Sequence, residues 1–173
     1  TPETLEEIRR EQSAFARAFE NSATERLWDA PFIRPVAQQE SASSFGWRRI
    51  INGTPRAPHT GTDLSAPAGT EVLAANHGRV VLVGNFFFAG GSVVVDHGGG
   101  LFTMYFHLSE FKVDEGAMIK KGDVVGLSGA TGRVISSVSP SSISQAVAGC
   151  IQTAAARTPQ LLMATDCTGA LAL

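Results

Sequence analysis

A chain of 173 residues with 43% hydrophobic and 17% charged residues has the composition of an ordinary globular domain and can bury a sizeable core. Its net charge of −2 gives no general attraction to nucleic acid or to an anionic membrane surface. No run reaches the ~18 apolar residues of a membrane-spanning helix, so neither nucleic acid nor a bilayer interior is an expected partner.

Residues 3–27 read as a helix. Leu5, Ile8, Phe15 and Phe19 recur at intervals of three and four and fall on one stripe. Thr4 followed by Glu7 fits a capping box, and Pro2 is tolerated at such a start. Pro31 and Pro35 prevent continuation, which makes 28–36 a linker. Residues 1–35, helix and linker, are therefore expected to form an N-terminal packing arm or the stub of a longer coiled segment, with no catalytic role.

Over residues 36–134 the texture changes to short apolar runs punctuated by glycine. Candidate strands are Glu71–Ala75, Arg79–Val83, Ser92–His97, Leu101–His107 and Asp123–Leu127. Turn signals such as Pro67-Ala68-Gly69, Gly98-Gly99-Gly100 and Lys121-Gly122-Asp123 separate them. That rhythm predicts an all-β core of antiparallel sheet or sandwich rather than alternating β and α units.

Two groups of residues in this stretch could carry chemistry. In Pro58-His59-Thr60-Gly61-Thr62-Asp63, an imidazole and a carboxylate are both good zinc donors. Full extension would separate them by about 13 Å, at roughly 3.3 Å per residue. Two ligands of one zinc end within about 4 Å of each other, because each bond is about 2 Å. The chain must bend between them, and Gly61 at the midpoint permits it. On spacing alone, a capping His and Asp in a surface turn after Pro58 is the commoner arrangement.

In Leu101–His107, alternation sends Phe102, Met104 and Phe106 to one face and Thr103, Tyr105 and His107 to the other. A three-residue turn at Gly98–Gly100 would set Gly91 opposite His107 and leave the imidazole uncovered. A solvated histidine at a strand end is the alternative. His97 reads as a polar residue serving the hairpin turn, and His77 as a plain turn residue.

In order along the chain stand Ser44-Phe45-Gly46-Trp47-Arg48, Asn52-Gly53-Thr54-Pro55-Arg56, His59-x-x-x-Asp63 and Ala66-Pro67-Ala68-Gly69-Thr70. Gly78-Arg79-Val80, Val95-Asp96-His97-Gly98, Tyr105-Phe106-His107-Leu108 and Gly126-Leu127-Ser128-Gly129-Ala130-Thr131-Gly132 follow. This ordered set resembles the lysostaphin-like (LytM-type) zinc metalloendopeptidases of bacterial cell-wall hydrolases over residues 40–134. The resemblance implies an antiparallel β fold with a groove and a zinc cofactor. It makes His59 and Asp63 two of three metal ligands and His107 a catalytic histidine beside the metal. It also implies a substrate of peptidoglycan peptide cross-links, and so a place in the bacterial envelope, periplasmic or extracellular.

The chain departs from that family after Gly132. There the family carries Gly-Pro-His-x-His, which supplies the third ligand and a second catalytic histidine. Here Arg133-Val134-Ile135-Ser136 stands instead, and His107 is the last histidine. Two protein ligands leave a weak zinc site, since catalytic zinc keeps three plus water. Cys150, Cys167 and Asp166 have suitable donor atoms, but their spacing does not argue for the role. Cys150 and Cys167 are compatible with one disulfide or with two thiols.

Residues 135–173 also change character: these 39 residues carry two charges against 28 in the first 134, and six serines fall within 136–144. Three readings follow: a peptidase with unusual ligands, a non-catalytic module that binds peptidoglycan or activates another cell-wall hydrolase, or a family domain whose closing segment is replaced by a change of reading frame. The third is preferred, because the loss is confined to one point beyond which composition, charge and pattern all change. The coding DNA across codons 130–140 is then expected to encode Gly-Pro-His-x-His in another frame, and sequencing that finds none overturns this reading.

Overall fold

The computed structural model describes residues 2–36, 49–51, 54–56, 64–132 and 146–147. Among them, one helix, α1 (Pro2–Glu20), precedes ten strands. These are β1 (Arg49–Ile51), β2 (Thr54–Arg56), β3 (Ser65–Ala66), β4 (Glu71–Leu73), β5 (Gly78–Phe86), β6 (Gly90–Asp96), β7 (Phe102–Phe111), β8 (Met118–Ile119), β9 (Val124–Ser128) and β10 (Ala146–Val147). Six of them form one antiparallel sheet in the order β4-β9-β7-β6-β5-β8. β1 pairs with β2, and β3 pairs with β10. The expectation of an antiparallel all-β core with an N-terminal helix is met.

The centre of the sheet is the β6–β7 hairpin, and both of its faces are buried. Every residue of β6 is buried, which is why its sequence is a run of valines rather than an alternation. Val93, Val95, Tyr105 and Leu108 join Val36, Leu64, Val72, Val80 and Val125 in the inner core. Val94, Phe102, Met104 and Phe106 face the other way and pack with Phe15, Phe19, Leu82 and Phe86. α1 therefore covers the outer face. Phe15 lies 4.8 Å from Phe86 and 6.0 Å from Phe106, ring to ring, and Phe19 meets Phe102 edge-on at 5.0 Å. Of the stripe read from the sequence, Phe15 and Phe19 dock on the sheet, while Leu5 at the start of the helix stays exposed. Full burial of one such side chain contributes about 1.5–3 kcal/mol.

The helix ends at Glu20, not near 27. Beyond it Ser22 and Ala23 turn their polar groups to a buried acceptor, the Asp96 carboxylate at the end of β6. A helix continued through them would leave that carboxylate short of donors, which burial makes costly.

The segment read as a linker is a strap laid across the strand ends. Leu27 N–H donates to His97 O at 2.8 Å, Gly99 N–H to Ala23 O at 2.7 Å, Ile33 N–H to Ala75 O at 2.9 Å and Leu73 N–H to Pro35 O at 2.7 Å. Asn76 Nδ2 donates to Ala30 O at 2.6 Å, and Val36 enters the inner core. The helix has already ended eleven residues before Pro31, so the prolines do not terminate it; their carbonyls accept instead, Pro35 O from Leu73 N–H and Pro31 O from Lys121 Nζ at 2.6 Å.

The outer aromatic contacts predict a specific cost. Phe15→Ala is expected to lower unfolding stability by about 2–4 kcal/mol, measured by urea denaturation. Leu5→Ala, at a side chain 46% exposed, is expected to change it by less than about 0.5 kcal/mol.

Candidate active site

β7 does not run straight through the hairpin. Val93 pairs with Tyr105, yet Gly91 pairs with Leu108, so one extra residue is inserted on β7 between the two pairs. His107 absorbs it at φ 60°, and it is the one non-glycine residue among those described with positive φ. A β-bulge of this kind re-aims a side chain and interrupts the alternation. Tyr105 and Leu108 thus both reach the inner core, while a regular strand would have sent them to opposite faces. Holding a non-glycine residue in the left-handed region costs about 1–3 kcal/mol and persists only where surrounding contacts enforce it.

Those contacts come from two loops. His107 N–H donates to Ala89 O at 2.9 Å, in the loop before β6. His107 Nδ1 lies 2.7 Å from Thr131 O, in the loop after β9. A carbonyl only accepts, so Nδ1 carries the proton of the neutral ring and the lone pair sits on Nε2. Thr131 Oγ1 meets Leu108 O and Gly91 N, each at 2.8 Å. The loops approach so closely that glycine is required: a Cβ on Gly90 would fall 2.4 Å from Thr131 C, and one on Gly132 2.4 Å from Gly90 N. Both have positive φ, 64° and 74°.

The sequence placed Gly91 opposite His107 with the imidazole uncovered, and the structure corrects this. Gly91 lies opposite Leu108, because the bulge shifts the register by one. Its missing side chain admits Leu108 O, which would stand 2.2 Å from a Cβ. His107 is 1% exposed, so it is neither uncovered nor a solvated strand end.

His97 is likewise more than a turn residue. It is fully buried, with Nδ1 at 2.6 Å from His77 O and Nε2 at 2.8 Å from Thr103 Oγ1. Thr103 Oγ1 lies 3.1 Å from Tyr105 Oη, which accepts Ala75 N–H at 2.8 Å. With the ring neutral, the protons run one way: Ala75 N–H to Tyr105, Tyr105 O–H to Thr103, Thr103 O–H to His97 Nε2, and His97 Nδ1–H to His77 O. Burial lowers the His97 pKa, against an opposing push from the His77 carbonyl and Asp96. Burial also raises the Tyr105 pKa. Asp96 beside it accepts Ser22 Oγ–H at 2.7 Å and Ala23 N–H and Gly98 N–H at 2.8 Å. Arg79 stands 3.8 Å away. This network fixes the turn end of β6–β7, opposite to His107.

His59 and Asp63 lie outside the described residues, as do Cys150, Cys167 and Asp166. Leu64, the residue after Asp63, is buried in the inner core. Among the described residues no three of His, Cys, Asp and Glu gather as a metal site. Thr131 and the loop of Ala89 and Gly90 were not singled out for the site. Their signal was the glycines flanking each loop, visible in sequence but uninformative until the loops were seen to meet.

A model of Peptidase family M23 matches residues 57–142. The peptidoglycan DD-endopeptidase ShyA of Vibrio cholerae is 45% identical over 94 residues, which are 54% of this chain and 22% of that protein. The chain thus spans about a fifth of that relative's length. A crystal structure of a peptidase M23 from Pseudomonas aeruginosa is 30% identical with a TM-score of 0.63, covering 90% of this chain and 59% of that one. That of a zinc containing peptidase from Vibrio cholerae is 27% identical with a TM-score of 0.60, covering 75% and 40%.

The buried His97 predicts how stability depends on pH. Its folded pKa is lowered, so the unfolded chain binds the proton more readily, and the stability held above the unfolded value of about 6.5 is lost as pH falls. The urea midpoint is expected to drop between about pH 7.5 and 5.5, and His97→Gln is expected to show a smaller drop across the same window.

Proposed function

Because this chain carries a peptidase family M23 domain, we propose that it is a zinc metalloendopeptidase-type domain directed at peptidoglycan peptide cross-links, left with too few metal ligands for efficient turnover. The observation that carries the reading is His107: a buried histidine in a strained bulge, with Nδ1–H tied to Thr131 O so that Nε2 holds the lone pair. Strain of that kind at a titratable side chain is found where chemistry requires a fixed orientation.

His59 and Asp63 are the proposed metal ligands, on the chemistry of their donor atoms and their place in the matched segment. A bound zinc would supply an acidified water and polarise the scissile carbonyl. The part played by His107 is to present Nε2 toward that centre, taking or lending a proton as charge develops on the substrate oxygen. Its main-chain bond to Ala89 and its ring bond to Thr131 remove the freedom to turn away.

The third ligand is the shortfall. Arg133-Val134-Ile135-Ser136 follows Gly132 and offers no donor of the kind that zinc prefers. We propose that the closing segment of the domain has been replaced here. A non-catalytic module is the weaker reading, because the backbone strain at His107 would have no use in it. The substrate of such a domain places it outside the cytoplasm, in the bacterial envelope. Among the described residues no helix is long and apolar enough to cross a membrane.

The purified chain is expected to retain well under one equivalent of zinc after dialysis, to bind isolated peptidoglycan and to release no detectable peptide from it. Inserting Gly-Pro-His-Ser-His after Gly132 is expected to raise zinc toward one equivalent and to confer hydrolysis, which His107→Ala then abolishes. A restored chain that folds but neither holds zinc nor cleaves peptidoglycan overturns the proposal.

A further inference from the structure

Thr131 engages three separate parts of the bulge at once. Its hydroxyl has one proton, and Leu108 O can only accept, so that proton goes to Leu108 at 2.8 Å. The oxygen then accepts Gly91 N–H, also at 2.8 Å. Gly91 and Leu108 are the pair that close the bulge on the side beyond His107. One side chain therefore stands in for the ladder bonding that the inserted residue disrupts. The carbonyl of the same residue, two bonds from the Cα that the hydroxyl anchors, accepts His107 Nδ1–H at 2.7 Å.

Both neighbours of this arrangement are built for it. Gly90 and Gly132 have positive φ and leave no room for a Cβ against Thr131 or against each other. Gly129, just before, has no room either: its Cβ would stand 2.7 Å from Ser109 N and 2.9 Å from His107 O. The loop is thus held against β7 at Gly129 and against Phe88 and Gly90 at Gly132, and the Thr131 carbonyl has a single place to point.

We infer that Thr131 is a positioning residue for His107: its hydroxyl pins the loop to β6 and β7, and its carbonyl thereby fixes the imidazole as the Nδ1–H tautomer. This rests on the peptidase reading only for its catalytic meaning, since the geometry stands without zinc or substrate. Valine has the shape of threonine without the hydroxyl, so Thr131→Val removes both pins and leaves the carbonyl free to swing. Serine keeps the hydroxyl and is expected to keep the tautomer.

The test is the ring-nitrogen spectrum of His107, recorded by nitrogen-15 NMR on the whole chain with a chelator present, at about pH 8.5 where histidine is neutral. The His107→Gln spectrum assigns the signals. Wild type and Thr131→Ser are expected to show a single Nδ1–H tautomer, and Thr131→Val a mixture or the Nε2–H form. An Nε2–H tautomer in the wild type overturns the inference, as does a folded Thr131→Val that keeps the wild-type pattern. Should Thr131→Val not fold, the other two decide: a Thr131→Ser spectrum unlike the wild type overturns the inference, and a matching Nδ1–H pair supports it. Neither zinc content nor peptidoglycan hydrolysis enters the readout, so failure of the peptidase reading and failure of this one are seen separately.

Discussion

A histidine held at φ 60° and buried inside a central strand of the sheet is the constraint from which the rest of the molecule can be understood. The conformation is unfavourable, so something must enforce it. On one side stands the loop of Ala89 and Gly90, on the other that of Thr131 and Gly132, and each supplies an acceptor to His107. These loops in turn hold their places because β5–β6 and β7–β9 are packed on both faces. Inside lies the valine-rich core, and outside the phenylalanines that α1 covers. Strain at one residue is thus balanced against the packing of the whole sheet.

The opposite end of the same hairpin is secured by polar means. Asp96 and His97 are fully buried, and such groups persist only when every donor and acceptor is matched. The strap from Ser22 to Val36 provides the matches for Asp96 and covers His97, with Phe32 edge-on to the imidazole at 5.0 Å. Gly98 lets the strap come near, for a Cβ there would stand 1.9 Å from Glu25 O. The N-terminal residues are therefore part of the domain that carries His107. The aromatic stripe of α1 was legible in sequence, but its docking site was not. The strap went unrecognised because, Ser22 apart, it bonds mainly through main-chain groups, which leave no mark on residue type.

The strands were legible for a related reason. Runs such as Ser92–Asp96 and Phe102–Phe106 bury both faces, and β-branched and aromatic residues bounded by glycine announce that. Their pairing was legible too, except where a residue is inserted. Alternation alone sent Tyr105 and His107 to one face, whereas the bulge sends Tyr105 with Leu108 and turns His107 aside. A bulge is a property of two strands, so no single strand's sequence declares it.

What the sequence determined by itself was the kind of domain: the order of its motifs, the presence of His59, Asp63 and His107 within them, and the absence of any histidine after His107. These are matters of residue identity and order, which a linear chain displays in full. The tertiary structure decided the state of His107: its strain, its burial, its tautomer and the loops that impose them. Those follow from contacts between residues 18 to 24 positions apart, Ala89 and Thr131 with His107, and distance along a chain says nothing of such meetings until the sheet has closed.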